Sequence, residues 1–88
     1  MQAFNIMAAL YGATSKQLAL GSAMERLIRD CPIETLRGEA AVIADTRAEW
    51  IKAANVARMH GCVAEEREAL GVVACLTGPL EIARYRLG

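Results

Sequence analysis

The sequence predicts an all-α protein, a compact bundle of four to five helices with one long central helix. Three observations carry that expectation. Only two of the 88 residues are proline. Apolar residues recur at the three-and-four spacing of a helix face, and β-branched residues do not gather in the runs that strands favour. At 55% hydrophobic residues the chain can bury enough surface to offset its ordering entropy, which excludes a disordered segment. Its length suits a single helical domain, residues 1–88, because one core needs roughly 50 to 200 residues. Much of the apolar content is alanine, with one Phe, one Trp and two Tyr. Small side chains let helices come close but build a thin core, so a homodimer is expected.

The first helix is expected over Ala3 to Tyr11. Asn5 is its one polar interior residue, so it should be buried on most sides or lie in an interface. This stretch is too short to span a bilayer, which needs about 20 residues, and it lacks the basic flank of a secretion signal. No membrane association is expected. After Gly12, Thr14 can cap a second helix, and Gln17 three residues later completes a capping box. Leu20, Met24, Leu27, Ile28 and Cys31 then follow one helical face, with Arg26, Arg29 and Asp30 largely elsewhere. Pro32 ends that helix, because the ring disfavours helical geometry at the preceding residue, and it can open the next.

The third helix is expected to be the long one, Ile33 to His60, with Gly38 as a weak point costing about 1 kcal/mol relative to alanine. Leu36, Ile43, Trp50 and Ala57 form one seven-residue row, and Ile33, Ala40 and Ala54 its neighbour. Such rows make a packing seam. Arg47 falls inside the second row and Arg58 close to the same stripe. A fourth helix is expected over Val63 to Leu76. Thr77 or Gly78 would cap a fifth, with Pro79 in its first turn, running from Leu80 to Arg86.

"HGC", residues 60–62, holds the only histidine and one of three cysteines. Structural zinc sites draw ligands in close pairs, usually two to four residues apart. Cys31, Cys62 and Cys75 do not offer that spacing, and no metal or other cofactor is expected. A catalytic Cys–His pair needs its imidazole oriented by a third group and a cleft beside it, and no signature of either is visible. A helix-turn-helix centred on Val56 to Leu70, turning at Gly61, is similar to the DNA-binding pattern over a few residues. It departs where Arg67 takes an apolar position and Glu65, Glu66 and Glu68 ride on the helix that would enter the groove. Carboxylates oppose the field that supplies most DNA affinity. The simplest expectation is a helix end: Gly61 in the left-handed position, with the glutamates favouring the next helix N-terminus.

Ten basic residues balance ten acidic ones, and residues 1–14 carry no charge. With no basic arm, nucleic-acid binding is disfavoured. Three widely spaced cysteines point to reduced thiols in the cytoplasm. The expected function is therefore non-catalytic. We expect a small protein–protein interaction module, an adaptor or inhibitor of the kind phages and mobile elements encode, binding a protein partner through a helical surface. Candidate partner-binding or assembly residues are Arg47, Trp50, Arg58, Arg84, Tyr85 and Arg86. Arg47 either runs outward along its stem or meets a carboxylate on a facing helix. Trp50 adds aromatic area one turn away, and Tyr85 offers an aromatic ring between two cations. A DNA-binding regulator is the alternative, and a small cysteine-dependent enzyme the third.

Overall fold

The computed structural model describes residues 14–88, and among them the chain is three helices with no strand: α1 (Ser15–Asp30), α2 (Ile33–Met59) and α3 (Val63–Leu87). The helix expected over residues 3–11 lies outside the described residues. All-α is therefore the class. The helix in the middle is not the expected one, because α3, rather than α2, packs against both of the others.

Local chemistry sets most of the boundaries. The Gln17 N–H donates to Thr14 Oγ1 at 3.1 Å, and the Thr14 N–H donates to Gln17 Oε1 at 2.8 Å. This is the expected reciprocal cap. Cys31 is extended ahead of Pro32, and α2 begins at Ile33. It runs unbroken through Gly38, whose missing side chain would meet nothing within 4 Å. At its end Gly61 takes φ +72°. The Gly61 N–H donates to the Arg58 carbonyl at 3.1 Å and the Cys62 N–H to the Ala57 carbonyl at 2.8 Å. Those two bonds make a Schellman motif, which satisfies carbonyls that a helix end leaves free.

Two expectations about α1 and α3 are corrected. First, the fourth and fifth helices are one. Pro79 sits inside α3, fully buried, instead of opening a new helix. A proline interrupts a helix by withholding one N–H and crowding the turn before it. Here the packing of α3 against α1 and α2 outweighs that cost, and the Thr77 hydroxyl donates to the Val73 carbonyl at 2.8 Å within the same turn. Second, α1 is rotated from the face its leucines suggested. Ile28 is buried as expected and Met24 and Cys31 pack against the core, but Gly21 and Glu25 are buried too, whereas Leu20 and Leu27 are exposed. The cause is Gly21: a Cβ there would lie 3.3 Å from the Cys75 carbonyl oxygen. Glycine lets the α1 backbone come close to α3, and that approach turns the leucines outward.

The core is concentrated at one end, where Ile28, Leu36, Ala40, Ile43, Leu76, Leu80 and Ala83 close against one another. Toward Gly61 the α2–α3 hairpin is sealed by alanines, Ala54, Ala57 and Ala69. The expected seam of α2 holds for Leu36, Ile43, Ala57, Ala40 and Ala54. It fails at Trp50 and Ile33, which remain exposed. The result is a rod of 42 × 22 × 18 Å. No described helix is long and apolar enough to cross a membrane.

Candidate interaction surface

The candidate residues divide between those the fold consumes and those it leaves outside. Arg47 is consumed. Its Nε donates to Thr77 Oγ1 at 3.1 Å, a part-buried bond joining α2 to α3. The expected alternatives were a solvated stem or a carboxylate partner, and the observed acceptor is a hydroxyl already anchored to its own helix. Arg86 is consumed as well. One of its terminal nitrogens donates to the carbonyls of Ile28 and Cys31, at 2.7 and 2.6 Å. A cation from the end of α3 therefore closes the C-terminus of α1, where free carbonyls and the helix dipole both attract positive charge.

The others face outward. Arg58 reaches Asn55 Oδ1 at 3.4 Å on its own helix. Arg84 pairs with Glu81 at 3.3 Å, an exposed contact of the kind that contributes little. Tyr85 is 89% exposed. Tyr85 and Arg86 border one hollow together with Arg29, Glu81 and Ile82, and Arg84 is not among its lining residues.

Trp50 is 36% exposed and borders two hollows. One, about 370 Å³, lies between α1 and α2 over a floor of Val72, Cys75 and Leu76. The other, about 490 Å³, lies at the hairpin end, with Val56, His60 and Cys62 around an alanine floor and Glu65 and Glu68 on its rim. Around the Gly61 turn Val56, Met59 and Val63 are exposed, Met59 to 82%. None of these three aliphatic residues was a candidate from the sequence. Their signal was available: they are large apolar residues off the buried rows and beside a glycine turn.

The thiols stand apart. Cys62 Sγ approaches the His60 carbonyl at 3.9 Å, not the imidazole. Cys31 Sγ is 3.0 Å from Thr35 Oγ1. Burial pushes the Cys75 thiol up, away from the nucleophilic thiolate. Among the described residues no three His, Cys, Asp or Glu side chains gather as metal ligands. The α2–α3 pair is also an antiparallel hairpin, with the Arg47–Thr77 bond roughly equidistant from Gly61 on its two strands of chain. A DNA-reading helix instead crosses its partner steeply to enter a groove.

Comparison with protein-family models, with curated proteins and with solved structures found no match.

Proposed function

We propose that this protein is a non-catalytic protein–protein interaction module, an adaptor or inhibitor working in the cytoplasm, and that the hairpin end is its contact surface. One observation carries the reading: Trp50 and Val56 line a shallow hollow at that end, and Met59 and Val63 lie exposed beside the same turn. Exposed apolar clusters with a polar rim mark binding sites, and aromatic and methionine side chains are enriched in them. Glu65 and Glu68 supply the rim. Methionine is unbranched and polarizable, so it suits a surface that adapts to its partner. The free thiols agree with a reducing compartment.

The test is co-precipitation of a tagged chain from its host cell beside a Met59→Glu variant. Met59 is so exposed that the substitution leaves the helices intact, which circular dichroism checks. A protein recovered with the native chain and lost with the variant supports the reading. Identical recovery from both, or none from either, removes it.

A further inference from the structure

We propose that the hairpin-end hollow receives a positively charged side chain, an arginine or lysine that the partner protein carries among aliphatic residues. Trp50 is its aromatic contact, and Glu65 and Glu68 are its counter-charges. The proposal rests on the interaction reading and names the chemistry of the partner. It begins from two carboxylates that the fold does not pair. Glu65 and Glu68 border the hollow, and both are exposed. Neither takes part in an ion pair among the described residues, where the pairs are Lys52–Glu49 and Arg84–Glu81. The helical neighbours three and four residues away hold no cation: Gly61, Cys62 and Ala69 around Glu65, and Ala64, Gly71 and Val72 around Glu68. The two glutamates are instead three residues apart, a spacing at which like charges repel. The α3 dipole explains Glu65, which lies in the first turn. Glu68 lies beyond that turn, where the dipole effect has faded.

The rest of the lining selects a cation that arrives on an apolar stem. Helix α2 contributes Trp50, Ala53, Val56, Ala57 and His60, with no lysine or arginine. Its nearby cations are engaged elsewhere, Lys52 with Glu49 and Arg58 with Asn55. Trp50 is the chain's only tryptophan, and an indole face is the best aromatic partner for an ammonium or guanidinium. The alanine floor leaves room for aliphatic carbons, and 490 Å³ lies within the range of roughly 300–1,000 Å³ that ligand pockets occupy. Arginine and lysine meet both requirements at once, since each carries its charge at the end of an aliphatic stem. Val56, Met59 and Val63, exposed beside the same turn, offer apolar contact to the residues that flank that side chain. An acidic segment or a phosphate backbone would meet like charge at Glu65 and Glu68.

The experiment selects peptides from a displayed random library on the immobilised full chain. The selected peptides, synthesised without tryptophan, are then titrated while Trp50 emission is followed. Peptides carrying Arg or Lys beside Leu, Ile or Met, and changing Trp50 emission as they bind, are the expected result. A Glu65→Gln, Glu68→Gln variant should bind them about tenfold more weakly, the scale of one charge-assisted contact. A Glu34→Gln, Glu39→Gln variant removes the same charge near the opposite end of α2, where both residues are exposed, and should bind like the native chain. Circular dichroism checks that both variants keep their helices. A selection that yields acidic or uncharged peptides, or none, overturns the proposal. So do basic peptides that bind the Glu65, Glu68 variant as tightly as the native chain, or that weaken equally with both variants. The outcome is separable from that of the co-precipitation. Uncharged apolar peptides lost with Met59→Glu would overturn the cation and leave the contact surface standing, whereas a Met59→Glu chain that recovers its host protein unchanged removes the surface itself.

Discussion

A side chain beginning at Gly21 would start 3.3 Å from the Cys75 carbonyl oxygen and 3.5 Å from Cys75 Cβ. In an uninterrupted helix that carbonyl would accept the N–H of residue 79, and residue 79 is proline. The glycine and the proline thus act on the same spot: one lets α1 come close, the other leaves the facing carbonyl without its regular donor. Gly21→Ala is expected to change stability by less than about 1 kcal/mol, because the helix propensity gained nearly offsets the crowding. Gly21→Leu is expected to cost about 2–3 kcal/mol, since the larger side chain must displace backbone. Urea unfolding of both variants checks the pair.

Arg86 and Arg84 lie two residues apart and should behave oppositely. Arg86 holds two carbonyls at the end of α1 in a part-buried setting. Arg86→Leu is expected to lower stability by about 2–3 kcal/mol, the scale of charge-assisted bonds. Arg84→Ala removes only an exposed pair with Glu81 and should fall within about 0.5 kcal/mol of the native chain. Chemical denaturation distinguishes the two, and equal losses would contradict the assignment of Arg86.

These particulars show where a sequence is legible. The Thr14–Gln17 cap, the stop at Pro32 and the turn at Gly61 each depend on neighbours within a few residues. Reading those residues is enough. Pro79 misled because its local penalty is opposed by burial on three-dimensional neighbours that the linear sequence does not display. The face of α1 misled for a related reason. Hydrophobicity favoured the leucine stripe, but the decisive residue was Gly21, whose value is the close approach it allows. Among candidate site residues, Arg47 and Arg86 were conspicuous as charges, and both proved to be tied to other helices. Val56, Met59 and Val63 passed unnoticed because exposure, not residue type, makes them available.

The Arg47–Thr77 bond joins α2 to α3, yet its loss should be mild. Thr77 keeps its own acceptor at Val73, so no buried group is orphaned when the guanidinium goes. Arg47→Met, which retains the aliphatic stem, is expected to cost about 1 kcal/mol. Thermal melting of the variant checks this, and collapse of the fold would show that Arg47 carries more than one hydroxyl contact.

Glu25 provides a pH prediction. It is buried on the α3-facing side of α1, and burial pushes its carboxyl above the ordinary range. The folded chain therefore holds this proton more tightly than the unfolded chain does. Its contribution is fully present below the ordinary carboxylate pKa and is lost as pH rises through the raised value. Glu25→Gln removes that dependence. The variant should match the native chain in acid and become the more stable of the two as pH approaches neutrality. Melting curves across that range test it, and a native chain gaining stability relative to the variant toward neutral pH would reverse the sign.

The most direct measurement replaces Met59, at the exposed hairpin end, with a photo-reactive amino acid and irradiates the chain inside its host cell. Exposed Arg37, near the opposite end of α2, serves as the comparison position. A discrete protein adduct from position 59 and none of the same mass from position 37 is the expected result. Adducts that are absent at 59, or equal at both positions, would contradict a contact surface at the hairpin end.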